Sequence, residues 1–266
     1  MTVEPKALVA VTGASGGIGQ SICIALAREG YDVVGQYRSH PSDAEVTRKA
    51  VEAEGRRCSV IAADLEEPAG LRSVCDAVDQ YLATHGDAVL HGLVNNAALL
   101  LGPGFESAGE EDFDRYMAVN VRAPFILSQQ LSRRMRQGGS IVNISSAGTA
   151  FSSPGDIVYA MSKSALEALT FHAAEALGAR KIRINTVVPG FTDNGHPLFS
   201  NPDARDHMSS YAALGDVADP AVVADAVIFL LSRRSTRTTG SILDVSGGSR
   251  LGYRGASTKL SLRGLS

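Results

Sequence analysis

Short apolar runs alternate with longer amphipathic stretches along the whole chain. That rhythm predicts repeated strand, helix, strand units closing into a mostly parallel sheet. Seven runs read as strands: 8–12, 32–36, 58–62, 92–95, 140–145, 183–188 and 241–245. Each is rich in Val, Ile or Leu without polar alternation, which predicts burial on both faces. Helical spacing covers 17–29, 42–54, 67–85, 113–137, 157–177 and 220–231. No linker-like composition shift, repeat or low-complexity tract divides the chain. The expectation is an α/β fold, a single doubly wound domain over residues 1–250 with a seven-stranded parallel sheet and helices on both faces. Two stretches break the rhythm. The polar, irregular segment 191–219 follows a strand, where loops commonly carry specificity. The tail 251–266 follows Arg250, carries Arg254, Lys259 and Arg263 without an acid, and reads as a solvated end.

Composition narrows the classes. The chain has 266 residues, 44% of them hydrophobic and 20% charged, enough for one large core and too apolar for disorder. Its formal net charge of −3 argues against affinity for phosphodiester backbones, so no nucleic-acid partner is expected. Cys23, Cys58 and Cys75 are odd in number and form no CxxC pair, which fits reduced, cytoplasmic thiols rather than disulfides or zinc. Glu4 and Pro5 interrupt the start where a secretory signal would be apolar. No apolar run approaches the roughly 18 to 20 residues of a bilayer crossing, so a soluble protein without a membrane partner is expected.

Thr12-Gly13-Ala14-Ser15-Gly16-Gly17-Ile18-Gly19 follows the first strand and opens the first helix. Glycines there bring backbone amides against a pyrophosphate at the positive helix end, which predicts dinucleotide binding. An acid closing the second strand would hold an adenine ribose diol; this chain instead reads Gln36-Tyr37-Arg38-Ser39-His40. Arg38 can pair with a 2′-phosphate and Ser15 can add a hydroxyl, so NADP(H) is favoured, with NAD(H) as the alternative. Asp64-Leu65 follows the third strand, where it meets adenine or caps the next helix.

Tyr159 and Lys163 stand four apart in a helical stretch, hence on one face. A phenol of ordinary pKa about 10 is a poor acid-base group near neutrality, and an adjacent ammonium is expected to lower it. Ser146, thirteen residues before Tyr159, follows the fifth strand and can aim a hydroxyl at the same carbonyl. With these residues in view, the chain from Ala7 to Gly248 resembles the short-chain dehydrogenase/reductase family in its Rossmann-fold form. The matching motifs are the glycine turn at 12–19, Asn95-Asn96-Ala97, Asn120, Ser146 with Tyr159 and Lys163, and Pro189-Gly190 followed by Thr192. The resemblance implies that Ser146 polarises the carbonyl and Tyr159 delivers or removes the proton. It further implies that Lys163 also holds the nicotinamide ribose and that Asn120 supports a proton-relaying water. It assigns cofactor contacts to Gly13, Ser15, Gly17, Ile18, Gly19, Asn96, Ala97, Pro189, Gly190 and Thr192, beside Arg38, Asp64, Leu65, Tyr159 and Lys163.

The chain departs from the family pattern at Gly16, where many NADP-dependent relatives carry a cation, and at Ala98 and Ser246. Ser145 competes with Ser146, which the thirteen-residue spacing favours. The six histidines form no HExxH and no close pair, so no metal is expected. The implied activity is NADPH-dependent reduction of a ketone or 3-oxoacyl carbonyl to a secondary alcohol. A secondary-alcohol, sugar or steroid dehydrogenase is the first rival, and a catalytically silent dinucleotide sensor the second. Arg133, Arg134, Arg136 and Arg180 suggest a surface for an acidic carrier protein, or solvated helix faces. The two long helices resemble those through which relatives pair, giving a homotetramer or homodimer. Phe151, Phe191, Leu198, Phe199, Met208 and Tyr211 either line an apolar substrate pocket or pack their loop.

Overall fold

The computed structural model describes residues 6–152 and 154–251; the tail cations Arg254, Lys259 and Arg263 and the side chain of Leu198 lie outside them. The strands are β1 (Lys6–Thr12), β2 (Asp32–Tyr37), β3 (Cys58–Ala62), β4 (Ala88–Asn95), β5 (Ser140–Ile144), β6 (Arg183–Pro189) and β7 (Ile242–Val245). All pair in parallel, in the order β3-β2-β1-β4-β5-β6-β7.

Alternate residues of each central strand feed two separate cores, the consequence of side chains pointing to opposite faces of a pleated strand. Leu8 and Ala10 join Leu90, Leu93, Ile141 and Ile184 beneath helices α3 (Pro68–Thr84), α5 (Ala123–Ser132) and α6 (Ile157–Gly178). Val9 and Val11 join Val94, Val142 and Val187 beneath α1 (Gly17–Arg28) and α8 (Pro220–Leu231). Each fully buried Leu, Ile or Val contributes about 1.5–3 kcal/mol, so this two-sided burial is what chiefly holds the sheet. Two expected features differ. The outer strands β3 and β7 remain partly exposed, because an edge strand has only one neighbour. The helix expected over 113–137 is α4 (Glu110–Met117) and α5 joined through a π-helical turn, Ala118–Arg122, and it ends at Ser132.

Prolines in the first turn start α2 (Pro41–Ala53), α3, α7 (Pro202–Ser209) and α8, where a missing N–H costs nothing. The chain leaves β1 toward β2 and β3, then crosses back to β4. That reversal opens a crevice at the carboxyl ends of β1 and β4, the place where such sheets bind ligands. Among the described residues no helix is long and apolar enough to cross a membrane.

Candidate active site

A cavity of about 850 Å³ runs along that crevice, from Arg38 and Asp64 at one end to Tyr211 at the other. Every residue named from the sequence as a cofactor contact lines it, as do Ser146, Tyr159 and Lys163. The glycine turn is built so that side chains are excluded. Gly13 takes a φ of +69°, and a Cβ there would stand 2.9 Å from the Ala97 Cα. On Gly19 a Cβ would fall 2.0 Å from the Gly13 carbonyl oxygen. Thr12 and Asn96 pin the turn to the end of β4. Thr12 Oγ1 accepts from the backbone N–H of Asn96 and of Ala97, both at 3.0 Å, and Asn96 Nδ2 donates to the Thr12 and Gly13 carbonyls.

Gln36, notable in the sequence only for not being an acid, has a task of its own. Its Oε1 accepts from the Gly13 N–H at 3.0 Å while Nε2 donates to Ala63 at 2.6 Å, tying β1, β2 and β3 together under the turn. Beyond it, Arg38 is exposed on the cavity wall with no partner among the described residues. Asp64 closes a turn before α3, its Oδ1 accepting from the Glu66 N–H at 2.9 Å, and Leu65 is buried beside it. Gly190 packs so tightly that a Cβ would meet the Ser246 carbonyl oxygen at 2.7 Å, and Thr192 Oγ1 donates back to the Gly190 carbonyl. A cradle closed to side chains, a helix N-terminus and an unpaired guanidinium together fit a phosphorylated dinucleotide.

At the middle of the cavity, Ser146 follows β5, its Oγ accepting from the Gly148 N–H at 3.2 Å, and its hydroxyl lies near enough to the Tyr159 phenol to favour the phenolate. Lys163 is buried, donates from Nζ to the Ile144 carbonyl at 2.7 Å, and stands 5.8 Å from the centre of the Tyr159 ring. Electrostatics here differ from the expectation that the ammonium would lower the phenol. Burial dominates and pushes Tyr159 up to about 12, with the Ser146 bond opposing it. The same burial pulls the Lys163 amine down to about 8. Tyr159 is therefore a protonated donor at neutral pH, suited to giving a proton to an oxygen that gains negative charge.

Asn120 sits in the π-helical turn, fully buried, and does not face the cavity. Its Oδ1 accepts from the Leu99 N–H at 2.8 Å, and Nδ2 donates to the Leu99 carbonyl and to Ser162 Oγ. The side chain thus clamps the segment after β4 to α6, three residues from Tyr159. The choice between the two serines is explained by Glu167, which sequence reading did not single out. Ser145 Oγ donates to Glu167 Oε1 at 2.7 Å and Thr149 Oγ1 to the same oxygen at 2.9 Å. The single Thr149 hydroxyl hydrogen is shared between that carboxylate and the Ser146 carbonyl at 3.0 Å, which ties the backbone at Ser146 to α6. The available signal was spacing: Tyr159, Lys163 and Glu167 recur every four residues on one helix face.

Segment 191–219 folds back over the glycine turn. A Cβ on Gly17 would stand 2.8 Å from both the Cα and the carbonyl oxygen of Asn194. Arg205 staples the segment, pairing with Asp193 at 3.3 Å and Asp216 at 3.1 Å. The proposed carrier-protein arginines fare differently. Arg134 is committed to Asp79 at 2.6 Å and Arg180 to the Ser132 carbonyl. Both precede the strands β5 and β6, so they lie at the end of the sheet opposite Ser146.

A family model described as enoyl-(acyl carrier protein) reductase matches residues 13–250. The L-xylulose reductase of Caenorhabditis elegans is 35% identical over 245 residues, covering 90% of this chain and 94% of that protein. The 3-oxoacyl-(acyl-carrier-protein) reductase of Staphylococcus epidermidis is 30% identical over 240 residues, covering 90% and 96%. Among solved structures, an angucycline C-6 ketoreductase with bound NADP superposes with a TM-score of 0.89 at 38% identity, covering 94% of this chain and 98% of that one. A short-chain dehydrogenase/reductase from Serratia marcescens gives 0.86 at 35%, covering 93% and 99%. With the parallel sheet, the glycine cradle and the Ser146, Tyr159, Lys163 cluster, these matches show that the chain is an oxidoreductase belonging to the short-chain dehydrogenase/reductase family.

Proposed function

We propose that the protein is an NADPH-dependent carbonyl reductase that turns a ketone into a secondary alcohol. The observation that carries this reading is the meeting of a protonated phenol, a serine hydroxyl and a buried amine inside a cavity whose other end fits a dinucleotide. The glycine turn, Asn96 and Pro189 to Thr192 would hold the dinucleotide, and Arg38 with Ser15 would take its 2′-phosphate. Bound there, reduced nicotinamide supplies a hydride to the carbonyl carbon. As the C=O electron pair moves onto oxygen, Ser146 donates a hydrogen bond to it and Tyr159 gives it the phenolic proton. The phenolate then regains a proton from solvent, while Lys163, its Nζ held by the Ile144 carbonyl beside the Tyr159 ring, would hold the nicotinamide ribose. Asn120 and Glu167 keep these groups in place. Several features support the cofactor preference: Arg38 is exposed and has no partner among the described residues, no acid closes β2, and a similar ketoreductase has been solved with NADP.

The substrate is a small molecule. With Arg134 and Arg180 paired at the opposite end of the sheet, these two arginines give no support to delivery by a carrier protein. Exposed Phe125 on α5 and Met161 and Phe171 on α6 support a homodimer through these helices, and a tetramer if a second interface forms. The cysteines, all free, fit a cytoplasmic protein. The test is consumption of NADPH and NADH with a ketone by wild-type protein and Arg38→Ala. NADPH should be preferred, and the variant should lose about tenfold or more of kcat/KM with NADPH while NADH is little affected. An equal preference in the wild type would overturn the cofactor assignment.

A further inference from the structure

The substrate end of the cavity has a chemistry of its own. Past Ser146 and Tyr159 its walls are Phe151, from the segment after β5, and Phe191, from the segment after β6, with Tyr211 between them. Tyr211 lies 5.3 Å from the Phe151 ring and 5.4 Å from the Phe191 ring, tilted at 42° and 63°. His207 meets the same tyrosine edge-on at 5.4 Å, and buried Met208 lies beside them in the wall. The rings therefore bridge the two sides of the site rather than crowd one of them. Charge is scarce here: among the described lining residues the only Lys or Arg besides Arg38 is Lys163, which is spent on Ile144. A carboxylate or phosphate on the substrate would find no free Lys or Arg there and would face the Asp156 carboxylate. Nor does the site end at Phe151. A second, mostly apolar groove of about 1070 Å³ shares Phe151, Pro154 and Ala160 with the cavity and continues past Phe105 and Met161.

Resting on the carbonyl-reductase reading above, we propose that the substrate is an uncharged ketone fused to or flanked by aromatic rings, larger than one ring. Tilted rings facing a flat apolar guest offer edge and face contacts, worth more than area burial alone. The continuing groove gives the remaining rings a place while the ketone stays at Ser146 and Tyr159. Phe151 and Tyr211 are then specificity-determining residues, and the polar, charged or flexible substrates open to this family are disfavoured here.

The test measures kcat/KM with NADPH for 1-tetralone, its saturated analogue 1-decalone, 2,3-butanedione, L-xylulose, acetoacetate and an acetoacetyl thioester. It includes calorimetric titration of the protein with 1-tetralol in the presence of NADP. Tetralone should exceed decalone by about tenfold and acetoacetate and L-xylulose by about a hundredfold or more. In Phe151→Leu and Tyr211→Leu the ratio of tetralone to butanedione should drop by about tenfold, with weaker tetralol binding. Faster turnover of the thioester or the sugar than of tetralone, or an unchanged ratio in both variants, overturns the substrate class while leaving the reductase standing. No NADPH oxidation with any of the carbonyls overturns the reductase reading as well.

Discussion

The phenol, the amine and the carboxylate of α6 show how burial decides what single groups do. A free phenol and a free amine titrate close together near 10, yet here the phenol is held at about 12 and the amine at about 8. Both shifts favour the neutral form of the group, and their signs set the pH dependence. The phenol keeps its proton across the neutral and mildly alkaline range, whereas the amine loses its charge as pH rises through about 8. The kcat/KM for ketone reduction should therefore decline as pH rises through about 8, and a profile flat across that pH would contradict a charged Lys163 in the reaction. Glu167 acts one step removed. Glu167→Gln keeps an acceptor oxygen for Ser145 and Thr149, so its kcat should stay within about threefold. Glu167→Leu removes the carboxylate that Ser145 and Thr149 share, leaving them only the Lys163 and Ser146 carbonyls, and loosens the segment that carries Ser146, which should lower kcat by about ten- to a hundredfold at little-changed NADPH affinity. Equal losses in both variants would mean that charge, not bracing, is what the carboxylate supplies. The meeting of Tyr159, Lys163 and Ser146 in one cavity was legible because their spacing is local to one strand end and one helix. Glu167 and Gln36 were not, because their partners are distant in sequence and only the folded chain brings them near.

Turns and loops, at the next scale, carry the site, and here close backbone approach matters more than side-chain chemistry. The glycine turn could be read from composition because glycines cluster where a strand meets a helix. That Asn194 would press on Gly17 could not, since segment 191–219 has no periodicity to fix its path. Adding a methyl at Gly17 would require that segment to move, because the nearest atoms are backbone at 2.8 Å. Overpacking of this kind costs about 1–3 kcal/mol, so Gly17→Ala should raise the NADPH Kd by about tenfold and expose 191–219 to limited proteolysis. Gly178→Ala, where a Cβ meets nothing within 4 Å, is the matched control and should leave both unchanged. The helical run 113–137 was read as one element since its apolar pattern is continuous. The π-helical turn at Ala118–Arg122 adds a residue to the ladder without breaking that pattern, and it is this turn that seats Asn120 against Leu99 and Ser162. Edge exposure of β3 and β7 was hidden for a similar reason: apolar content reports burial of a strand, but position in the sheet is a property of topology.

For the whole molecule, the reversal of strand order gathers residues from β1, β2, β4, β5 and β6 at one end of the sheet and leaves the other end to structural pairs such as Arg134 with Asp79. Phe125 on α5 and Met161 and Phe171 on α6 are 47%, 48% and 69% exposed, apolar surface that pairing of these helices with a second copy would cover. Light scattering at micromolar concentration should give at least a dimer, and Phe171→Glu should shift it toward monomer; a monomeric wild type would contradict pairing through these helices. Reduction at this site turns on one proton, that of the Tyr159 phenol. Tyr159→Phe preserves the ring and its packing but removes the donor, so its turnover with NADPH and a ketone is the most direct measurement, made beside NADPH binding. The expected result is a loss in kcat of about a thousandfold or more with the NADPH Kd within about twofold of wild type. Turnover within about tenfold of wild type would show that another group delivers the proton.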